Sequence, residues 1–209
     1  MVRVLLALLA VSYLAPSAAA QPAADGSRYY VMFFGADAGR FRPARAHTWA
    51  TYVRATPTAD GSVLIEPLTI SWLPADGTIS VLRPFRPEPG RNLTLHQSLQ
   101  FAAGKGSKVA MWGPYETDAL RYHLAARQAG LLEGGAIAYR AVDSFGNRPG
   151  VDHCVHAVTG ADPALAGRRQ PMGRIGRRGT ANLVGQYARV GAFDPTVRHD
   201  WLVPALGIR

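Results

Sequence analysis

The most constraining feature of this sequence is a pair of strand-like segments on either side of a strong turn signal. Residues 47–54 and 62–72 are rich in Thr, Val, Ile, Tyr and Trp, and they flank the run Thr56-Pro57-Thr58-Ala59-Asp60-Gly61. Such runs, joined by turn residues, are typical of a β-hairpin. The aromatic and β-branched run Tyr29–Phe34 predicts a further, buried strand before the hairpin.

The later part of the chain alternates between helical and strand-like patterns. Helices are predicted from Thr94 to Gly104, over residues 116–130, which give the clearest helical pattern, and over residues 180–190. Short strands are predicted over residues 108–112, where Gly113-Pro114 should break the strand, and over residues 136–142. This order of elements predicts an α+β fold in which helices pack against an antiparallel sheet.

The first 20 residues have the pattern of a secretory signal peptide. Arg3 precedes the apolar run Val4–Leu14, which is followed by Ser17-Ala18-Ala19-Ala20. Removal of these residues would leave residues 21–209 as a single domain of ordinary size. We therefore expect an exported protein, periplasmic or extracellular, that would stay anchored to the membrane if the signal is not cleaved.

The charge of the chain is strongly positive and comes almost entirely from arginine. The sequence has 23 basic and 14 acidic residues, and loss of Arg3 with the signal leaves 22 against 14, a net charge of +8. An anionic polymer or a membrane surface would attract such a protein. Because the arginines are scattered and no nucleic-acid-binding motif accompanies them, we expect no specific nucleic-acid partner. A monomer is expected.

Cys154, the only cysteine, lies in the run Gly150-Val151-Asp152-His153-Cys154-Val155-His156-Ala157-Val158. This run reads as a loop that turns into the first turn of a helix, and a helix N-terminus favours a thiolate over a thiol. Exported domains normally use cysteines in pairs, so an unpaired one suggests a reactive thiol. The alternative, that Cys154 is a small buried apolar residue, stays open at this point.

A nucleophilic thiol needs a base, and six histidines could provide it. Three are expected at the surface: His96, His123 and His199. His153 and His156 lie so close to Cys154 along the chain that their side chains should point away from it. His47 opens a strand, where its ring could face a helix N-terminus. His153, Cys154 and His156 are also too close together on one turn for a tetrahedral zinc set, so we expect no metal and no cofactor.

The strand Ala46-His47-Thr48-Trp49-Ala50-Thr51-Tyr52-Val53 precedes the cysteine run by about 100 residues. In this order the chain resembles the circularly permuted branch of the NlpC-type, papain-like cysteine hydrolases. That branch includes lecithin retinol acyltransferase-like enzymes, the YiiX and YaeF group of bacterial envelope proteins, and the eukaryotic PPPDE peptidases. Its cysteine is typically written Asn-Cys-x-x-Phe, and here His153 and Ala157 replace the first and last of these residues.

The resemblance covers about residues 28–160 and implies a permuted papain-like core, with a basic loop and helix over residues 161–209. It implies that Cys154 is the nucleophile at a helix N-terminus and that His47 is its base. If the hairpin pairs around Ala59, Ser71 lies opposite His47 with Thr69 next on the same face, and either could orient the histidine.

The implied function is that of an exported cysteine hydrolase or acyltransferase. Its substrate would carry an amide, ester or thioester bond in a peptide or lipid of the cell envelope. The alternative is a non-catalytic exported domain on the same scaffold, with a buried thiol and an Arg-rich surface that binds an anionic envelope partner.

Overall fold

The structure is a computed structural model that describes residues 25–38, 42–80, 86–141, 150–167 and 175–208. The predicted signal peptide, residues 1–20, lies outside the described residues, as do Arg168, Arg169 and Arg174 of the predicted basic loop. In the ranges that are described, no helix is both long enough and apolar enough to cross a membrane.

The described part of the chain contains eight strands, five α-helices and one short 3-10 helix (Pro43–Arg45). The strands are β1 (Arg28–Asp37), β2 (His47–Pro57), β3 (Val63–Ile70), β4 (Trp72–Pro74), β5 (Gly90–Asn92), β6 (Lys108–Thr117), β7 (Ala138–Tyr139) and β8 (Val151–Asp152). The helices are α1 (Leu95–Gly104), α2 (Ala119–Glu133), α3 (Cys154–Thr159), α4 (Gly176–Arg189) and α5 (Leu202–Ala205).

The main sheet is antiparallel with the strand order β3-β2-β1-β6. Two small sheets accompany it, one formed by β4 and β5 and one by β7 and β8. The predicted α+β class, with helices against an antiparallel sheet, is confirmed. The strand predicted over residues 136–142 is much shorter than expected, since only β7 forms there.

Apolar clusters cover both faces of the main sheet. Alternate residues of a strand point to opposite faces, so Val31 and Phe33 join a cluster with residues of α2, α3 and α4, whereas Met32 and Phe34 join one with α1 and α5. Because β1 is covered on both sides, its sequence is a continuous apolar run rather than an alternating one.

Strand β6 does not end at Gly113, as the sequence predicted, but continues to Thr117. Val31 pairs with Tyr115 whereas Phe33 pairs with Trp112, so β6 carries an extra residue relative to β1. Such a bulge absorbs the irregular residues without ending the strand. Gly113 has a φ of +92° and leaves no room for a Cβ, which would lie 2.7 Å from the Val31 carbonyl oxygen.

The boundaries of α2 are also later than predicted. Asp118 accepts a hydrogen bond from the Arg121 backbone N–H (2.8 Å) and so caps a helix that begins at Ala119. The preceding residues Glu116 and Thr117 remain in β6, where they pair with β1. The helix then passes through Gly130 and ends at Glu133.

Gly35 allows helix α4 to pack directly on β1. A Cβ at this position would lie 2.6 Å from Thr180 Oγ1 and 2.7 Å from Arg177 Cα. Thr180 Oγ1 also lies 3.0 Å from Thr48 Oγ1 and so connects α4 to β2. The glycine therefore sets the distance between the helix and the sheet.

We predict that Gly35→Ala lowers the free energy of unfolding by about 1–3 kcal/mol, because the added methyl group must push α4 away from the sheet. Gly130→Ala is the matched control. Nothing lies within 4 Å of a Cβ at Gly130, inside α2, so this change should raise stability by about 0.5–1 kcal/mol through helix propensity. Urea denaturation followed by circular dichroism measures both, and effects of the same sign would contradict the prediction.

Candidate active site

Cys154 is the first residue of α3, and the side chain before it caps this helix. His153 Nδ1 accepts hydrogen bonds from the backbone N–H groups of Val155 (3.1 Å) and His156 (3.4 Å). The Cys154 N–H is not part of this cap. The Cys154 side chain is buried, with 5% of the residue exposed.

Helix α3 is short but is held firmly in place. All six of its residues are buried, and the helix lies against β2 and β4. At its C-terminal end, Tyr187 Oη donates a hydrogen bond to the Val158 carbonyl oxygen (2.8 Å). The start of the helix, and with it the thiol, is therefore fixed relative to the sheet.

His47 is the first residue of β2 and is 1% exposed. Its Nε2 atom lies 2.8 Å from Ser71 Oγ. The ring stacks on Trp49, with 5.2 Å between the ring centroids, and meets the Phe101 ring edge to face at 6.0 Å. These three contacts hold the imidazole ring between Ser71, Trp49 and Phe101.

The structure brings His47 and Cys154 together. Burial raises the pKa of the Cys154 thiol, but hydrogen bonds with His153 and His47, together with the charge of the two rings, outweigh burial and lower this pKa from 9.0 to about 6. Nδ1 of His47 makes no well-aligned hydrogen bond within the described part of the chain. Because Nε2 faces Ser71, Nδ1 is the nitrogen that is left for the sulfur.

The two candidate orienting groups are found in different positions. Ser71 contacts His47, whereas Thr69 Oγ1 lies 3.0 Å from Thr51 Oγ1. The register that we predicted is wrong: Pro57 pairs with Val63, so the hairpin is centred on Asp60 rather than Ala59. This change moves the partner of each β2 residue by two positions. A shift of two residues keeps every side chain on its face, and Ser71 consequently remains a diagonal neighbour of His47.

His153 is a member of the site that the sequence analysis passed over. We considered it as a base and as a zinc ligand and set it aside in both roles because it adjoins Cys154. In the structure it instead caps the helix and hydrogen-bonds to the thiol. The signal was present in the sequence, since His153 replaces the Asn of the family pattern and Asn is among the best N-cap residues.

Tyr139 is a second residue that the sequence did not reveal. It pairs with Asp152 in the small parallel sheet of β7 and β8, two residues before the cysteine. Burial, and then the negative charges of Cys154 and Glu88, raise the pKa of its hydroxyl. Tyr139 therefore lies within electrostatic range of the thiol and stays neutral near pH 7.

Of the remaining histidines, His156 is buried on α3 two residues after Cys154, with its ring centroid 4.1 Å from that of His153, and the other three lie elsewhere. His96 and His123 are exposed, and the half-buried His199 lies 3.5 Å from Glu116. In the described ranges no group of three His, Cys, Asp or Glu side chains is arranged to hold a metal ion.

A cleft of about 380 Å³ lies beside the strands that surround the site. It is lined by Trp72 of β4, Gly90 of β5 and Ala138 of β7, with Glu88 and Ile137 among its other residues. Gly90 is required there because a Cβ would lie 2.1 Å from the Trp72 ring. Trp72 also belongs to the apolar cluster that includes Cys154.

We predict that His153→Ala lowers the free energy of unfolding by about 1 kcal/mol, because two backbone N–H groups lose their acceptor. His153→Asn restores an acceptor and should cost less. Both variants lose the hydrogen bond from the imidazole to the sulfur, so both should raise the pKa of the thiol. Urea denaturation and the pH dependence of thiol alkylation separate these effects. Equal destabilisation by the two variants would show that His153 does not stabilise the helix as a cap.

Comparison of the chain with protein-family models, with curated proteins and with solved structures finds no match. Its function is therefore inferred from the geometry of the site.

Proposed function

We propose that this protein is an exported cysteine hydrolase or acyltransferase of the permuted papain-like type. The observation that carries the proposal is that His47, held with its Nε2 atom 2.8 Å from Ser71 Oγ, lies near enough to the Cys154 thiol to lower its pKa. A thiol with a lowered pKa, a histidine beside it and a polar group that holds the histidine are what nucleophilic catalysis by cysteine requires.

The reaction begins with transfer of the Cys154 proton to His47 Nδ1. The thiolate attacks the carbonyl carbon of an amide, ester or thioester, and the carbonyl π electrons move to oxygen. When the tetrahedral intermediate collapses, the bond to the leaving group breaks and His47 returns its proton to that group. Water or an acceptor nucleophile then attacks the acyl-enzyme with His47 as base and releases Cys154.

The Cys154 backbone N–H is suited to stabilise the oxyanion of this intermediate. The His153 ring accepts from the next two N–H groups of α3 and leaves that of Cys154 outside the cap. An N–H on the nucleophile's own residue lies close to the position where the negative charge develops.

The departure from the family pattern at His153 is compatible with activity. The Asn of that pattern and the imidazole found here both offer an acceptor to the start of the helix. His153 provides this acceptor and also stabilises the thiolate, so the replacement conserves the helix cap and strengthens the nucleophile.

We assign the substrate to the peptides or lipids of the cell envelope. The basic character of the chain would hold it near anionic polymers or lipid headgroups. The cleft beside Trp72 is mostly apolar and carries one carboxylate, that of Glu88, so it suits an acyl or peptide segment rather than a phosphate.

Burial of the site favours a second candidate function. Cys154 is 5% exposed and His47 is 1% exposed, so a substrate reaches the sulfur only if the surrounding residues open. In the second candidate the thiol is a core residue and the protein is a non-catalytic exported domain that binds an anionic envelope partner. Reactivity of the thiol in the folded protein distinguishes the two.

We predict that Cys154 reacts with iodoacetamide in the folded protein with a midpoint near pH 6, because the thiolate is the reactive form and its pKa is lowered to about 6. The rate should be nearly constant above neutral pH and fall as the pH drops through the midpoint. His47→Ala should slow alkylation at pH 7 by about tenfold, since loss of the hydrogen bond and the charge of the ring moves the thiol pKa toward its ordinary value.

Mass spectrometry of the alkylated protein measures this rate, and Cys154→Ser, which has no thiol, is the blank. An unchanged rate in His47→Ala would show that His47 is not the base of Cys154. A thiol that reacts only on unfolding would support the non-catalytic candidate. Turnover of a p-nitrophenyl ester by the wild type, and its loss in Cys154→Ser, would extend the result from a reactive thiol to catalysis.

A further inference from the structure

The contact between His47 and Ser71 is continued by a further buried hydroxyl group. Ser98 on α1 is completely buried, and its Oγ donates to Ser71 Oγ (2.7 Å) and to the Thr94 carbonyl oxygen (2.7 Å). A chain of short contacts therefore runs from the imidazole through two serines to the backbone at the start of α1.

A serine hydroxyl has one hydrogen, so Ser98 can donate fully to only one of its two acceptors at a time. The Thr94 carbonyl oxygen can only accept. Ser71 can donate or accept, and so can His47 Nε2, depending on which ring nitrogens carry protons. The direction of the chain therefore depends on the protonation state of His47.

Both tautomers of the neutral histidine can be fully hydrogen-bonded, but only one of them can take the Cys154 proton at Nδ1. In that tautomer, and in the imidazolium that it becomes, Nε2–H donates to Ser71, Ser71 donates to Ser98, and Ser98 donates to the Thr94 carbonyl. When the ring is neutral with its proton on Nδ1, Nε2 accepts from Ser71, Ser71 accepts from Ser98, and Nδ1 cannot take a proton from the thiol. Rotation of two hydroxyl groups converts one arrangement into the other.

We propose that Ser98 is a positioning residue for the candidate reaction: by accepting the Ser71 hydrogen, it keeps Ser71 as the acceptor of His47 Nε2–H, so that Nδ1 can take the proton of Cys154. This inference rests on the proposed function, because it concerns the same proton transfer. It applies most strongly to the imidazolium state, in which the Ser71 hydrogen has Ser98 as its acceptor. A buried donor without an acceptor is costlier than an unused lone pair on an acceptor.

The positions of the two serines do not depend on their contact with each other. The backbone N–H of Ser71 donates to Asn92 Oδ1 (2.7 Å), and Asn92 Nδ2 donates to the Thr69 carbonyl oxygen (2.8 Å). The start of α1 is closed by a capping box between Thr94 and Gln97. Removal of the Ser98 hydroxyl should therefore leave the backbone in place.

The chargeable groups near the pair lie around α3, on β7 and just after α1. His153 precedes α3 and contacts the thiol, and His156 on α3 stacks on the His153 ring. The thiol acts electrostatically on Tyr139 of β7, and so does Glu88. Lys105, which follows α1, lies 5.4 Å from the centroid of the Phe101 ring, which in turn packs on His47. Because Ser98→Ala changes none of these groups, a shift in the pH profile would report the hydrogen bond.

The test is the pH profile of iodoacetamide alkylation of Cys154 in the full chain. Ser98→Ala should raise the midpoint by about half a pH unit and slow alkylation at pH 6 by about twofold, as expected for the loss of one hydrogen bond. Ser98→Thr, which keeps a hydroxyl group, should return the midpoint toward the wild-type value. Ser71→Ala together with Ser98→Ala should shift it no further than Ser71→Ala alone, because Ser98 acts through Ser71.

Ser27→Ala is the matched control. Ser27 is also completely buried, and its Oγ lies 2.8 Å from Thr56 Oγ1, at the far end of β2 from His47. This variant should leave the profile unchanged. Circular dichroism verifies the fold of each variant, and alanine at position 98 suits the helix.

A Ser98→Ala profile that superimposes on the wild type would overturn the inference, as would additive shifts from the two serines. These results would leave the proposed function intact. By contrast, if the alkylation of Cys154 in the wild type has its pH midpoint in the ordinary range of thiols, the proposed function and this inference are both overturned.

Discussion

The arrangement of this molecule depends on the packing of a short, completely buried helix against the start of the second strand. This contact places an ionisable thiol beside an imidazole, with both side chains shielded from water. Buried polar groups are tolerated only when they are hydrogen-bonded, and a partly satisfied network is costly. The surrounding elements provide several of these hydrogen bonds: His153 caps the helix, Ser71 holds the imidazole, and Asn92 holds Ser71.

The secondary structure could be predicted where local signals are strong. Strand β1 has a continuous aromatic and β-branched run, and α1 begins directly after Thr94, the residue at which the sequence predicted the start of a helix. Local signals failed where tertiary pairing dominated. Gly113-Pro114 would end an isolated strand, but β6 pairs with β1 on both sides of it and a bulge accommodates the irregularity. Pairing likewise keeps Glu116 in the strand and delays the start of α2.

The candidate site could be predicted only in part, for a related reason. Cys154 and His47 each stand at an element boundary, where a side chain can face another element, and the sequence reveals such boundaries. Ser98 and Tyr139 have no such signal, because their roles depend on distances between residues that are far apart in the chain. Ser71 was selected from a register two positions from the actual one, and it remained near His47 because strand faces repeat every two residues.

The two histidines beside the thiol are best understood as a response to burial. Burial alone would raise the pKa of Cys154 and keep the sulfur protonated, so each source of thiolate stabilisation must first offset the loss of water. An Asn at position 153 could cap the helix but would bring no imidazole to the sulfur. The imidazole of His153 provides both the cap and a second group that favours the thiolate. Position 153 is thus one at which a larger side chain serves the helix and the thiol together.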